Sequence, residues 1–347
     1  MKGQFEVQFN WVFVLIAGAV ILAFFFSIVL KQRAISEQRL ELTLAGELDA
    51  ITTSASVAKG AAQRISLPKA GLDFTCSDEC SCTFSVGSVT KDYRDKLIFA
   101  PSHIEGDTVV FWSLDWQIPF RATNLLFVTN DRIKYFFVHD DSAESSQLVG
   151  KVKALLPEQA NSAFVTLSDV DCRTNPNCIK NENYIRVKFV FLNTDPAFGD
   201  LQLDDSFSDT ELAAVHITPD ALTFFKRDSK TATTFTPASA YYAGDATLFA
   251  AIFSADEPMY RCNMQAASRR LGYVARIIQS RMETFRADAA IIERGCAYNP
   301  ETIARVATVG DEQGTVLSSG LNELRGLSLT LNDENEGLLR QSCPTIY

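Results

Sequence analysis

The sequence lacks the short motifs by which common catalytic and nucleotide-binding sites are recognised. It contains no Walker loop, no GxGxxG, no HExxH, no GxSxG and no CxxC. Its three histidines, His103, His139 and His216, are scattered along the chain. The sequence therefore predicts no catalytic residue, no cofactor-binding residue and no cofactor, and it favours a protein that is not an enzyme.

Positive charge is scarce, and this argues against two kinds of partner. The 42 acidic residues outnumber the 32 basic ones, which gives a formal net charge of −10. Nucleic acid and anionic lipid headgroups are bound by basic surfaces, so neither is predicted as the main partner. The chain also has no Asn-x-Ser/Thr sequon, which excludes heavy N-glycosylation but leaves the compartment open.

Charge is absent altogether from Trp11 to Leu30. About twenty helical residues, at a rise of about 1.5 Å each, span the hydrocarbon core of a bilayer. Lys31 and Arg33 close the run, and no small-residue cleavage site follows it. Residues 1–33 are therefore predicted to be a leader and transmembrane anchor, with the lipid bilayer as partner. A cleaved signal and a buried core helix are the less favoured alternatives.

Proline is absent between Phe9 and Ala62, and a helical seam continues beyond the anchor. The apolar seam residues are Leu44, Leu48, Ile51, Ala55 and Ala58. One nearly continuous helix is therefore predicted from about Phe9 to about Ala62. Its second half, the stalk at residues 34–65, is predicted to pack on another element. It is also predicted to mediate self-association or binding to another anchored envelope protein.

The first 60 residues resemble the N-terminus of archaeal type IV pilin-like proteins. "MKGQFE" is similar to their Lys-Gly-Gln leader, and an unbroken apolar run with an amphipathic continuation follows it. The resemblance implies cleavage between Gly3 and Gln4. Gln8 stands where such proteins usually hold a glutamate. The whole chain, ending "RQSCPTIY", also resembles uncharacterised membrane-anchored proteins of archaea with small genomes, which implies no known activity.

All the cysteines lie outside the anchor. They form three groups: Cys76, Cys80 and Cys82; Cys172 and Cys178; and Cys262, Cys296 and Cys343. An even count with close local pairs indicates disulfides in an oxidising compartment, with free buried thiols and a metal site as alternatives. Cys172 and Cys178 flank a short turn and are predicted to pair. One pair is predicted in each trio, and in the first trio Cys76–Cys82 is favoured over Cys80–Cys82. The one cysteine left over in each trio is predicted to pair with the other across the chain.

After Pro68 the helical pattern gives way to short runs of β-branched and aromatic residues. This change indicates a mixed α/β domain over residues 66–250. "LLFVTNDRIKYFF" predicts a hairpin with its turn at Asn130-Asp131. "SSQLVGKVKALLP" predicts a helix between two strands, and hence a βαβ unit.

Two further features complete the predicted organisation. Segments 128–137 and 217–226 align, which suggests either an internal duplication or chance similarity. Residues 251–347 return to a helical pattern, with Leu324 and Leu331 seven apart on the last helix. They are predicted to form a helical subdomain that packs on the stalk. The predicted fold class is thus mixed α/β, with an N-terminal transmembrane helix and C-terminal helices.

"YFFVHDDSAESS" is the one near match to a known binding motif. Asp140, Ser142 and Glu144 occupy the positions of the Asp-x-Ser-x-Ser pattern of a metal-ion-dependent adhesion site, with glutamate in place of the last serine. These three residues predict a weak divalent-cation site. The alternative is a solvated turn followed by a helix N-cap, a position that Asp and Ser favour.

Acidic residues and histidines elsewhere offer weaker candidates. Asp204, Asp205 and Asp209 can do acid–base work or bind calcium. The alternative is an exposed acidic loop in which Asp209 caps a following helix. His139 and His216 border apolar strands and are expected to be edge histidines rather than ligands.

The side of the membrane on which residues 34–347 lie follows from two opposed signals. The basic residues after the anchor weakly favour the cytoplasm, whereas the cysteines favour an oxidising exterior, which carries more weight. The sequence therefore predicts a single-pass, extracytoplasmic structural or binding protein of the cell envelope. The alternative is an anchored extracytoplasmic enzyme at the carboxyl ends of the strands, which requires Asp140, His139 and Asp204 or His216 to converge in one cleft.

Overall fold

The computed structural model begins with one long helix, α1, which spans Gln4–Val57. Helix α1 is unbroken between residues 31 and 45, as predicted. It ends earlier than predicted, because Ala62 is not helical and the next residues form a strand. The structure describes residues 4–57, 62–66, 71–93, 96–196, 201–227, 235–312 and 320–347.

Helices and strands alternate through the rest of the described chain. The helices are α2 Ala143–Leu155, α3 Leu167–Val170, α4 Asp245–Phe253, α5 Glu257–Ala287, α6 Ala289–Glu293, α7 Glu301–Asp311 and α8 Gly320–Arg340. The first strands are β1 Gln63–Ser66, β2 Leu72–Cys76, β3 Cys82–Val86, β4 Val89–Asp92, β5 Ile98–Phe99, β6 His103–Ile104 and β7 Thr108–Gln117. The later strands are β8 Arg121–Thr129, β9 Ile133–His139, β10 Ser162–Thr166, β11 Arg186–Leu192, β12 Glu211–Ile217, β13 Leu222–Arg227 and β14 Phe235–Ala240.

The described strands form three sheets. Sheet 1 has the order β1-β7-β8-β5, sheet 2 the order β4-β3-β2-β6, and sheet 3 the order β10-β9-β11-β12-β13-β14. In sheet 3 the first four strands are parallel and the last two antiparallel. The predicted mixed α/β class is confirmed, and β9, α2 and β10 form the predicted βαβ unit.

Burial explains why β11 occupies the centre of sheet 3. All seven of its residues, "RVKFVFL", are buried. A strand covered on both faces requires such a nearly continuous apolar run. Helix α2 of the βαβ unit begins where the Ser142 side chain accepts a hydrogen bond from the Ser145 N–H. Pro157 lies just beyond the end of α2.

One large core connects the stalk, sheet 1, one face of sheet 3 and the C-terminal helices. Leu44 and Leu48 of the stalk belong to it together with residues of every long C-terminal helix. The sequence predicts that the C-terminal helices pack on the stalk, but the stalk packs mainly on strands β3, β4, β7 and β8. A smaller core built on Phe136, Phe189 and Phe207 covers the other face of sheet 3. The predicted boundary between residues 250 and 251 falls inside α4.

Two local predictions are wrong. The strands on either side of Asn130-Asp131 do not form a hairpin, because β8 pairs within sheet 1 and β9 within sheet 3. Asp209 does not cap a helix, because Glu211–Ile217 is strand β12, paired on both sides. In both places pairing with distant strands overrides the local preference.

The two segments that align in sequence take different conformations. Segment 128–137 passes from sheet 1 to sheet 3, whereas segment 217–226 lies in the β12–β13 hairpin of sheet 3. The duplication therefore stays a prediction from sequence, and these two segments do not themselves form a structural repeat.

Candidate functional site

The helix that carries the apolar span docks directly on the folded domain. Over the described residues, Trp11–Arg33 is the one helical stretch long and apolar enough to cross a membrane, with a mean hydropathy of 3.0. Eight residues beyond it, Glu41 accepts hydrogen bonds from the Ser88 N–H (3.0 Å) and hydroxyl (2.7 Å). These bonds lower the pKa of Glu41. The neighbouring Gly87 has φ +58°, a conformation that glycine adopts readily and that brings the turn against the stalk.

A second polar contact holds the stalk about two helical turns further on, at Asp49. Lys96 Nζ donates to the Asp49 carbonyl (2.6 Å), the Asp49 carboxylate (2.5 Å) and the Thr52 hydroxyl (2.8 Å). The hydrogen bond from Lys96 lowers the pKa of Asp49. Leu44 and Leu48 are buried between the two polar contacts. The apolar span and the domain are therefore joined through a packed helix rather than a linker.

All eight cysteines are in disulfides. The pairs are Cys76–Cys82, Cys80–Cys262, Cys172–Cys178 and Cys296–Cys343. Cys172–Cys178 and Cys76–Cys82 are the local pairs predicted from the spacing. The pattern of one pair in each trio and one bond across the chain also agrees with the prediction, which left open the partners within the C-terminal trio. The Cys80–Cys262 bond joins the turn between β2 and β3 to α5 over a separation of 182 residues.

The carboxyl edge of the parallel strands in sheet 3 is the place where an α/β protein usually binds a ligand. From β9 the chain passes through α2 to β10 on one side, and it later returns to β11 on the other side. This reversal makes a topological switch point between β9 and β11. The Ser145 hydroxyl donates to the Leu192 carbonyl (2.5 Å) and ties the start of α2 to the end of β11.

Asp140, Ser142 and Glu144 lie at this switch point. The Asp140 carboxylate accepts from the Ser142 N–H (3.0 Å) and hydroxyl (2.5 Å). These bonds lower the pKa of Asp140. The Ser142 oxygen also accepts from the Ser145 N–H (3.2 Å). The contacts are those of a turn and an N-cap, the alternative considered for this motif, and the cation site stays a prediction.

The histidines of the proposed enzyme site point to opposite faces of sheet 3. His139 is in register with Leu192 and Ile217, whereas His216 is in register with Phe191 and hence one residue out of step. Because successive side chains alternate between faces, the two rings lie on different sides. Burial lowers the pKa of His216. The two histidines therefore do not share a cleft.

Asp204 lies beside the Cys172–Cys178 disulfide and not in the turn that carries Asp140. Its carboxylate accepts from the Ser206 N–H (2.9 Å) and caps the 3-10 turn Asp205–Phe207. An oxygen of the same carboxylate lies within 4.8 Å of the sulfurs of Cys172 and Cys178. Such a set of three ligand atoms can hold a soft metal only when both sulfurs are thiolates.

Sequence reasoning missed Lys188, the most unusual titratable residue of sheet 3. It lies in the middle of β11, where its Nζ donates to the carbonyls of Ala251 (2.9 Å) and Ser254 (2.5 Å) at the end of α4. The Phe224 ring centroid is 5.6 Å from Nζ. Burial, with a smaller contribution from Arg186, lowers the pKa of Lys188 to about 7. The signal in the sequence was a lysine inside a strand that is apolar apart from Lys188 and its first residue, Arg186.

The fold and these contacts describe a class of protein but not a family. The described chain combines a helix able to cross a membrane with a disulfide-bearing mixed α/β domain, features compatible with a membrane-anchored extracytoplasmic protein. No protein-family model matches the chain, and neither a curated protein nor a solved structure shows significant similarity to it.

Proposed function

We propose that the protein is a single-pass membrane protein of the cell envelope, with residues 34–347 outside the cytoplasm in a structural or binding role. One observation carries this proposal: the apolar span continues as one helix into the core of a domain whose cysteines are all paired. Disulfides persist in oxidising compartments and are rare in the cytosol. The span is buried nowhere in its own fold, so lipid is the partner that covers it.

Sidedness is tested by labelling intact cells with a membrane-impermeant maleimide, with and without prior reduction. We expect labelling of the domain only after reduction. A Gln4→Cys variant is the matched control, since its added thiol lies on the other side of the span and reacts only after lysis. Domain thiols that react without reductant, and only after lysis, would place the domain in the cytoplasm and defeat the proposal.

We also propose that the stalk associates with a second copy of the chain. Ile21, Ile28, Ile35 and Leu42 are spaced seven residues apart on α1, and Ile35 and Leu42 are 44% and 53% exposed. A seven-residue repeat keeps two helices in contact along their length. A copy in the same membrane has the same orientation, so its stripe meets this one in parallel.

Cross-linking in membranes tests this contact. We expect a cross-linked dimer that Leu42→Glu abolishes and Thr43→Glu retains, since Thr43 is exposed on α1 beside the stripe. A dimer that survives Leu42→Glu removes the stripe as the interface. A cross-link to a different protein at the same position instead supports another anchored envelope protein as the partner.

The pilin-like leader remains a proposal of its own. Residues 1–3, which carry the proposed cut after Gly3, lie outside the described part of the chain. Mass spectrometry of the native N-terminal peptide decides the matter: a start at Gln4 is expected. A start at Met1 or Lys2 leaves a plain signal anchor.

The enzyme alternative has one observation in its favour, the position of Asp140 at the switch point of sheet 3. If that edge binds a divalent cation, titration with Ca²⁺ or Mn²⁺ should show saturable binding that Asp140→Asn removes. The matched control is Asp141→Asn, the neighbouring carboxylate outside the motif. Absence of binding in the native protein removes the metal-dependent version of the alternative.

A further inference from the structure

Each of the four disulfides joins one half-buried cysteine to one buried cysteine, so burial class alone does not rank their reactivity. Each has one half-buried cysteine, and these are Cys76, Cys80, Cys172 and Cys296. Each also has one buried cysteine, and these are Cys82, Cys262, Cys178 and Cys343. Because the four bonds share this pattern of burial, the charges beside the sulfurs decide which bond a thiol opens first.

A cation lies against one of these bonds. Arg261 Nη1 is 3.8 Å from Cys80 Sγ. The guanidinium is held in place on α5 by Glu257, whose Oε1 accepts from Nε at 3.1 Å, and both side chains are largely buried, at 16% and 13% exposure. Asp78 and Glu79 lie in the same turn but are exposed, where water and salt screen their charge.

A carboxylate lies against another of these bonds. An oxygen of Asp204 is within 4.8 Å of both sulfurs of Cys172–Cys178. The attacking group in thiol–disulfide exchange is a thiolate, and each cleavage leaves a thiolate behind. A cation beside the sulfur stabilises both anions, and a carboxylate destabilises them. The two bonds therefore lie at opposite ends of the expected order of reactivity.

We propose that Cys80–Cys262 is a site of thiol–disulfide exchange, the bond of this protein that an external dithiol opens first. The dithiol's thiolate attacks Cys80 Sγ, the S–S bond breaks, and Cys262 leaves as a thiolate that takes up a proton. The second thiol of the dithiol then attacks the dithiol sulfur of the mixed disulfide, so that the dithiol is released as an oxidised, cyclic disulfide. Cys80 is released as a thiolate facing Arg261. Two electrons pass from the dithiol to the protein.

Opening this bond has a defined structural effect. It is the long-range connection between sheet 2 and α5, whereas Cys76–Cys82 closes the same β2–β3 turn locally. Exchange at Cys80 therefore removes the covalent link between the β2–β3 turn and α5, while Cys76–Cys82 keeps the hairpin itself closed. The partner defined by this chemistry is a dithiol reductant or an oxidoreductase with a paired-cysteine site.

The test is a time course of dithiothreitol treatment on the full-length protein in detergent micelles. Free thiols are trapped at intervals by an alkylating reagent and assigned by peptide mass spectrometry. We expect Cys80 and Cys262 to be alkylated first and Cys172 and Cys178 last. One unit charge at about 4 Å in water changes such a rate about fivefold.

Three variants separate charge from other causes. Arg261→Gln should slow opening of Cys80–Cys262 about fivefold, and Arg261→Lys should restore most of the rate. Asp204→Asn should speed opening of Cys172–Cys178 by a similar factor. The wild-type order and the Asp204 variant remain informative if the Arg261 variants fail to fold. Equal rates for all four bonds, or first opening of Cys172–Cys178, would overturn the proposal.

Discussion

Lys188→Met is expected to remove a large pH dependence from the free energy of unfolding. The pKa of Lys188 is about 7 in the folded protein, whereas a lysine in an unfolded chain titrates near 10.4. Between these values the unfolded chain holds one more proton, so stability rises with pH by about 1.4 kcal/mol per unit. From about pH 7.5 to about pH 9.0 this amounts to about 2 kcal/mol, which is lost again as the pH falls towards 7.

The useful pH range ends below 10 because tyrosines act in the opposite direction. Burial raises the pKa of Tyr93 and Tyr135 above the ordinary tyrosine value. Once the pH passes about 10, the unfolded chain loses these protons first and stability falls with pH. Measurements between about pH 7.5 and about pH 9.0 therefore isolate the lysine.

Methionine has a similar length but cannot donate a hydrogen bond. The carbonyls of Ala251 and Ser254 lose their partner in the variant, at a cost of about 1–3 kcal/mol each that does not vary with pH. The assay is urea unfolding of the full-length protein in detergent micelles, with disulfides intact. Fluorescence of Trp112 and Trp116, which are both buried, reports the transition.

Lys151→Met is the matched control for loss of a lysine charge. Its side chain is 55% exposed and lies 3.6 Å from Asp245, so it should leave the pH dependence unchanged. The difference in unfolding free energy between wild type and Lys188→Met should grow by about 2 kcal/mol over the same range. Parallel pH curves for the two proteins would refute the assignment of a neutral buried amine.

Two substitutions, each with a matched control, test the junction between stalk and domain by thermal unfolding. Gly87→Ala should destabilise by about 2 kcal/mol, because φ is positive and the added Cβ would meet the Glu41 carboxylate. Gly46→Ala, in open space on helix α1, should stabilise by up to about 1 kcal/mol. Destabilisation by both substitutions or by neither contradicts the packing described here. Leu48→Ala should cost about 2–5 kcal/mol, since Leu48 is 4% exposed. Leu329→Ala, on α8 at 67% exposure, should change stability by less than about 0.5 kcal/mol, and similar losses at both positions would argue against a docked stalk.

Features set by local patterns were predictable from the sequence. The absence of proline and the spacing of Leu44 and Leu48 predicted the continuous helix and its buried side. The cysteine spacing predicted the local pair Cys172–Cys178, because five intervening residues with a turn signal bring the two Cα atoms close. The helix between β9 and β10 followed from its own periodicity and its proline.

Features decided by distant pairing were not predictable in the same way. Asn130-Asp131 has a turn signal, but a turn signal does not tell whether the next strand returns to the same sheet. "ELAAVHI" contains good helix formers, yet strands on both sides hold it as β12. Lys188 would be assigned to a solvent-facing position on an isolated strand. Only its hydrogen bonds to the carbonyls of Ala251 and Ser254 show why a lysine is buried there.

The candidate sites show the same difference between local patterns, which were predictable, and distant contacts, which were not. The turn and cap at Asp140 and Ser142 could be predicted, because both residues act within a few positions of each other. Whether His139 and His216 converge depends on their registers against β11, and one residue of offset places the rings on opposite faces. The contact of Arg261 with Cys80 joins residues 181 positions apart and leaves no trace in the local sequence.

Because α1 is unbroken, the direction of its apolar span fixes the orientation of the domain docked on its second half. Eight residues separate Arg33, at the end of the span, from the first contact of Glu41 with Ser88, a rise of about 12 Å. The described helix is continuous over that interval. With the span in a bilayer, as proposed above, a change in the tilt of the helix would therefore reorient the domain with it. On that proposal the thickness of the membrane helps to set the height and orientation at which the domain meets another molecule.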